Sequence, residues 1–297
     1  MGFTVENTSL TQVVLPLALF LIMLGIGLSL RLDDFIRLRK QPGVVLLGSG
    51  LQLIGLPLLG CLLVTLFQVS GAYAAAIMIL TLAPGGATSN MVSYLCRADI
   101  ALSVCLTAIA SIVTPFTLPI LSFYVLQHWM SIETAVSFPI TQTLIKLLFI
   151  ALLPIFLGMV IFYHLPRWAT RLQPVVKWSS LGFMILVVIG IVKSNQTHLI
   201  VLLEELGVVM IVMAALAVII SWLIAASFGF AIEQRLTLGI ETGIQNAGLA
   251  LIITGTVLND AQMSGVVLLY GVLMQIPAVF LIIIRNLPQR KSPSIQN

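Results

Sequence analysis

An all-α integral membrane protein with about nine transmembrane helices is the fold class this sequence predicts, and three observations carry it. The 297 residues are 60% hydrophobic and only 8% charged, with a mean hydropathy of +1.15; soluble domains carry roughly 25% charged residues. The apolar residues fall in long continuous runs, near the length of about 20 residues that a helix needs to cross a bilayer. Continuous runs, rather than alternating ones, also exclude a β-barrel. Finally, the basic residues gather in alternate connections, as the positive-inside rule requires.

Taken in order, the nine runs are residues 11–30, 43–69, 72–97, 100–127, 137–163, 174–194, 198–228, 236–258 and 261–285. The connections are short, so successive helices are expected to be antiparallel neighbours, and residues 1–297 form a single transmembrane unit with no soluble domain. The N-terminus, polar and uncharged apart from Glu6, lacks the pattern of a cleavable signal peptide, so the first run acts as its own insertion signal. An odd count puts the termini on opposite sides. With the N-terminus outside, the inner segments collect Arg31, Arg37, Arg39, Lys40, Arg97, Arg167, Arg171, Lys177, Arg235, Arg285, Arg290 and Lys291, twelve of the fourteen basic residues. Lys146 and Lys193 lie within runs. The distribution argues for N-terminus out and C-terminus in, within a plasma membrane, a bacterial inner membrane being favoured by the short loops and termini. The basic, amphipathic segment Arg31–Lys40 reads as an anchor on the inner face. Cys61, Cys96 and Cys105 have neither metal spacing nor a disulfide framework.

Two runs are interrupted. The third contains Leu82-Ala-Pro-Gly-Gly-Ala-Thr-Ser-Asn90; Pro84 removes a backbone donor, Gly85 and Gly86 loosen the chain, and three oxygen-bearing side chains follow at once. The eighth contains Gly239-Ile-Glu-Thr-Gly-Ile-Gln-Asn-Ala-Gly-Leu-Ala250, with Gln245 and Asn246 bracketed by Gly243 and Gly248. A charged residue at membrane depth costs at least a few kcal/mol, so Glu241 is expected to face a protected cavity rather than lipid. A polar seam that merely joins helices is the plainer alternative. The third and eighth runs enter from opposite sides and occupy matching positions in runs 1–4 and 6–9, which would be inverted repeats with run five as the linker. Discontinuous helices placed in this way point to a transporter with its site near the midplane.

The fourth run adds Ser103 and Thr107, one helical turn apart on one face; hydroxyls in membrane helices often bond back to their own backbone instead. Gln52 stands alone in the second run, where a helix–helix hydrogen bond is the plain reading. His128 and His198 lie at outer ends and His164 at an inner end, with no nucleophile, zinc or phosphate-loop pattern near them, so an enzyme is not expected. One carboxylate among amides, hydroxyls and freed carbonyls is a set of hard oxygen ligands suited to a monovalent cation, sodium or a proton.

Pro84-Gly-Gly-Ala-Thr-Ser-Asn90 with Ser103 and Thr107, and Glu241-Thr-Gly-Ile-Gln-Asn246, resemble the signatures of the bile acid:sodium symporter family, over essentially the whole chain and in its nine-helix form. The resemblance implies a core domain (about 43–127 and 198–286), in which the two broken helices cross, and a panel domain (about 10–41 and 134–194). It implies two sodium ions. Ser89, Asn90, Ser103, Thr107 and Glu241 would bind the first, and Gln52, Glu241, Gln245 and the carbonyls of Thr242 and Ile244 the second. An organic anion, either a bile acid or a smaller carboxylate such as pyruvate or pantoate, would sit between panel and core near Thr88, Asn246 and Gln275. The expected activity is sodium-coupled symport by alternating access, by a monomer that has no nucleic-acid partner. A proton-coupled carrier or exchanger is the main alternative; a passive channel and an intramembrane enzyme are the others.

Overall fold

The computed structural model describes residues 13–30, 41–130, 132–194 and 196–287. The basic segment 31–40 lies outside the described residues, as do Asn7 and Asn195 of the two Asn-X-Ser/Thr sequons, Asn7-Thr8-Ser9 and Asn195-Gln196-Thr197. All described secondary structure is helical: α1 (Leu15–Ser29), α2 (Pro42–Leu66), α3 (Gly71–Thr81), α4 (Ala87–Leu95), α5 (Ile100–Trp129), the short α6 (Ile132–Ser137), α7 (Ile140–His164), α8 (Pro166–Ser194), α9 (Gln196–Ser227), α10 (Ile232–Gly243), α11 (Ala247–Val257) and α12 (Ala261–Asn286). Among the described residues, α2, α5, α7, the stretch Leu199–Ser227 of α9, and α12 are long and apolar enough to cross a membrane. The protein is therefore an integral membrane protein.

Each predicted run is occupied by helix, the third and eighth by two segments each, but two helices begin well before hydropathy suggests. α8 starts at Pro166 rather than 174, and α10 at Ile232 rather than 236. Both extensions are polar first turns, Arg167 to Arg171 and Glu233 to Arg235. Hydropathy marks the part of a helix that can lie in oil, whereas capping and propensity set where it starts.

The third and eighth runs are each split. α3 ends at Thr81 and α4 begins at Ala87; α10 ends at Gly243 and α11 begins at Ala247. At the first break Gly85 takes φ +68, a conformation that a side chain disfavours. The second break has no proline. Ile244 leaves the helix with φ −106 and ψ 117, and Asn246 restarts it by accepting a hydrogen bond from Leu249 N at 3.2 Å. The two breaks meet. Pro84 and Gln245 form an isolated antiparallel bridge, and Asn246 N donates to Ala83 O at 2.8 Å.

Burial sorts the helices into two layers. Every residue from Ala74 to Thr81 in α3 and from Leu236 to Gly243 in α10 is buried, the pattern of helices enclosed by protein on all sides. The surrounding helices expose large apolar side chains such as Leu46, Phe156 and Phe280. Small residues let the layers approach closely. A Cβ at Gly239 would stand 2.9 Å from Val218 O, and one at Gly243 2.5 Å from Val218 Cγ2, so α10 lies hard against α9. A Cβ at Gly27 would stand 2.2 Å from Ile155 O and one at Gly158 2.6 Å from Leu24 O, which brings α1 against α7 backbone to backbone.

Two helices widen into π-helical turns just ahead of a proline: Leu51–Gly55 in α2, before Pro57, and Leu148–Leu152 in α7, before Pro154. A proline has no N–H to give to the carbonyl four residues back, and a wider turn accommodates the loss. Gln52 leaves α2 from the first of these turns.

Candidate cation site at the crossing of the broken helices

The site is built by α10 and α11 meeting α4, with α2 and α5 supplying side chains from the flanks. Glu241 is fully buried. Its Oε1 accepts from Ser103 Oγ at 2.5 Å and its Oε2 from Thr107 Oγ1 at 3.0 Å. Gln52 Nε2 reaches Glu241 Oε2 at 3.1 Å and the Glu241 backbone oxygen at 3.0 Å. Asn90 Oδ1 closes the other side, 2.8 Å from Ser103 Oγ and 3.4 Å from Thr107 Oγ1. Ser89 Oγ lies 3.4 Å from Thr107 Oγ1 and donates to Gly86 O at 2.7 Å. Ser103 and Thr107 turn to Glu241 and Asn90 rather than back to their own helix.

A count of donors and acceptors shows what this cluster has to spare. Ser103 has one hydroxyl proton and two acceptors, Glu241 Oε1 and Asn90 Oδ1, both within hydrogen-bond reach. Thr107 likewise has one proton facing Asn90 Oδ1 and Glu241 Oε2, the latter also accepting from Gln52 Nε2. Each hydroxyl can satisfy only one of its acceptors. The lone pairs left over, aimed inward in a buried space, are what a small hard cation ligates. Among the described residues no three His, Cys, Asp or Glu side chains come together as a metal cluster.

The remaining predicted residues lie around the second break. Gln245 Nε2 donates to Thr242 O at 2.7 Å, and its backbone N–H meets Met274 Sδ at 3.3 Å. Gln245 Oε1 is buried without a partner. Ile244 supplies the backbone that leaves the helix. Asn246 Oδ1 is committed to capping α11, whereas Asn246 Nδ2 is buried and unpartnered. Thr88 is exposed, and a Cβ placed on Gly86 would lie 3.6 Å from Thr88 Oγ1 and 3.8 Å from Asn246 Cα, so both flank the same glycine. Gln275 is half-buried and its amide returns to Gly271 O of its own helix at 3.4 Å. The structure thus joins Gln52, Ser89, Asn90, Ser103, Thr107 and Glu241 through direct contacts, sets Thr242, Ile244 and Gln245 next along the chain at the second break, and turns the amide of Gln275 back to its own helix.

One element of the site escaped the sequence reading. Thr237, one turn before Glu241, receives a hydrogen bond from Asp99 N at 3.0 Å, while its hydroxyl lies 3.1 Å from Asp99 O and 2.9 Å from Glu233 O. Asp99, one turn before Ser103, caps α5 by accepting from Leu102 N at 3.1 Å. The Asp99–Thr237 clip therefore sets the register of the two helices whose next turns meet at Ser103 and Glu241. Asp99 ahead of an apolar run is a recognisable N-cap signal; its pairing across 138 residues is not.

The sequence model of the Sodium Bile acid symporter family matches residues 16–203, well over half of the chain. The chain belongs to the sodium bile acid symporter family. Membership places it among membrane transporters rather than enzymes. The match takes in the first broken helix and α5; Glu241 lies beyond it. Similar curated proteins include "Probable sodium/metabolite cotransporter BASS1, chloroplastic" of Oryza sativa subsp. japonica, 27% identical over 233 residues, covering 78% of this chain and 55% of that one. "Uncharacterized sodium-dependent transporter YocS" of Bacillus subtilis (strain 168) is 25% identical over 229 residues, 77% of this chain and 70% of that one. The "P3 protein" of Mus musculus is 30% identical over 254 residues, 84% of this chain and 52% of that one. The chain thus spans about half the length of the rice and mouse relatives.

Proposed function

We propose that this protein is a sodium-coupled symporter of an organic anion that works by alternating access. One observation carries the reading: a fully buried carboxylate ringed by hydroxyl and amide groups, whose oxygens keep lone pairs beyond those the surrounding donors use. Sodium is cargo in this reading. Ser89, Asn90, Ser103, Thr107 and Glu241 hold one ion; Gln52, Glu241, Gln245 and the carbonyls of Thr242 and Ile244 hold a second. The unpartnered Gln245 Oε1 supports the second position. With both ions in place the crossing is rigid, and the anion docks beside Thr88 and Asn246, where Asn246 Nδ2 is a donor without a partner. Gln275, whose amide oxygen is not used by its bond to Gly271 O, would join this end of the site.

In the same reading the chain crosses the membrane nine times as inverted repeats, N-terminus out and C-terminus in. α1, α7 and α8, which pack chiefly on one another, form the panel against which the crossed core moves. The names of the rice and Bacillus subtilis relatives, a sodium/metabolite cotransporter and a sodium-dependent transporter, support sodium coupling.

The test uses proteoliposomes of the full chain with radiolabelled taurocholate, pyruvate and pantoate in turn. Uptake of one of them is expected to accumulate under an inward sodium gradient and to collapse in potassium. Glu241→Gln is expected to lower sodium-stimulated uptake by about a hundredfold, the loss for removing a charged ligand from a buried site worth roughly 3 kcal/mol. Full uptake driven by a proton gradient without sodium overturns the reading, as does retention of sodium stimulation by Glu241→Gln.

A further inference from the structure

α5 carries more hydroxyls than the cation site uses. Beyond Ser103 and Thr107, towards the Trp129 end, come Ser111, Thr114 and then Leu118. At about 100° per residue these side chains all leave the helix within one sector of about 80°. Ser111 is 1% exposed and Thr114 0%. Neither hydroxyl has a partner.

That lack of a partner, shared on this helix by Ser122 beyond Leu118, sets them against most hydroxyls of the membrane helices. Buried hydroxyls in membrane helices usually return to a carbonyl of their own preceding turn. Thr117 does so to Val113 O at 3.3 Å, Thr143 to Pro139 O at 2.8 Å and Thr254 to Ala250 O at 3.2 Å. Ser111 and Thr114 do not. A second, independent feature falls on the same residue. Pro115 lies inside α5 and offers no N–H, so the carbonyl four residues back, that of Ser111, loses its helical donor. Ser111 Oγ and Thr114 Oγ1 are thus two buried hydroxyls without partners, beside a carbonyl, Ser111 O, that has lost its usual i+4 donor. Burying such groups dry costs roughly 1–3 kcal/mol each. The cluster is discrete, because fully buried Leu118 interrupts the polar face before Ser122.

Resting on the reading of the Glu241 cluster as a sodium site, we propose that Ser111 and Thr114 form a separate, weaker cation-binding step on the path between the Trp129 end of α5 and that site. Ser111 Oγ, Ser111 O and Thr114 Oγ1 take sodium in passing and hand it to Thr107, about 6 Å further along the helix axis. Neutral oxygens alone bind a cation loosely, so the step fills and empties easily, whereas Glu241 retains the ion. The break between α3 and α4 lies against the turn between the two: a Cβ at Gly85 would stand 3.5 Å from both Thr107 Cα and Ala110 Cβ.

The test compares purified full-length wild type with a Ser111→Ala/Thr114→Val double variant, and with Ser122→Ala as a control on the same face beyond Leu118. Two quantities are read: the rate of ²²Na⁺ association by rapid filtration, and the sodium concentration that half-maximally raises the melting temperature. The double variant is expected to associate about tenfold more slowly, an increase of about 1.4 kcal/mol in the barrier, with its half-saturating sodium unchanged; a relay residue alters entry and exit together. Ser122→Ala and the hydroxyl-retaining Thr114→Ser are expected to match the wild type. Unchanged association in the double variant overturns the proposal. So does a shift in half-saturating sodium as large as the change in rate, because the pair would then be shaping the Glu241 site itself. If the wild type binds no ²²Na⁺, the sodium reading of Glu241 fails; if it binds and the double variant behaves identically, only the relay fails.

Discussion

At the scale of single residues, the site depends on side chains whose partners lie far away in sequence. Gln52 meets Glu241 across 189 positions, and nothing local to Gln52 announces it. The sequence marked Gln52 as an odd amide in an apolar run and Glu241 as a carboxylate out of place; contact between them required the fold. Ser103 and Thr107 were legible as one face, although their alternative use in backbone bonding was equally compatible with their spacing. Thr237 was invisible because a threonine inside a helix carries no signal of its own. Its clip to Asp99 makes a prediction. Thr237→Val keeps the shape but removes the hydroxyl, so the registers of α5 and α10 loosen one turn below the carboxylate. Half-saturating sodium is expected to rise about fivefold, matching the roughly 1 kcal/mol of one buried hydrogen bond, in a titration of thermal stability against sodium. An unchanged titration would show that the clip does not reach the site.

Among the helices, the breaks were legible to different degrees. Pro84, Gly85 and Gly86 state the first outright, because each weakens a helix by a known mechanism. The second, at Ile244 to Asn246, was legible only as a region, since glycines and amides weaken a helix without marking where it stops. Gly239 and Gly243 play another part besides: they are the small-xxx-small face that seats α10 on α9, leaving Glu241 on the opposite side. Gly239→Ala is expected to push α10 off the backbone of Val218, costing about 1–3 kcal/mol as overpacking does. Both the melting temperature and sodium-stimulated uptake should fall. Gly85→Ala carries a different penalty, the roughly 1–2 kcal/mol of a side chain at positive φ. It should reduce uptake more than it lowers the melting temperature, since the strain falls on the crossing rather than on a packing interface; equal losses would argue otherwise. The starts of α8 and α10 were misjudged because their first turns are polar, and hydropathy does not see a polar turn.

For the molecule as a whole, composition pointed to a membrane protein, because 8% charged residues cannot solvate a globule of this size, and the continuous apolar runs made it helical. The grouping of α1 with α7 and α8 was not readable from composition or spacing; it follows from Gly27 and Gly158, which allow backbone contact between helices far apart in the chain. If sodium is bound by the folded protein and not by the unfolded chain, stability must rise with sodium concentration, by about 2.7 kcal/mol at a hundred times the dissociation constant. Thermal unfolding in sodium against equimolar potassium measures this, and coincident curves would remove the ion from the fold's energetics.

The stitch from Asn246 N to Ala83 O has a mechanical corollary. It fastens the two gaps to each other, so the four half-helices share one knot and cannot drift independently. Whatever tilts or slides this knot carries the carboxylate of Glu241, the oxygens of Ser89 and Asn90 and the open amide of Asn246 in one stroke. Passengers held on such a hub would board on the same side and alight on the same side.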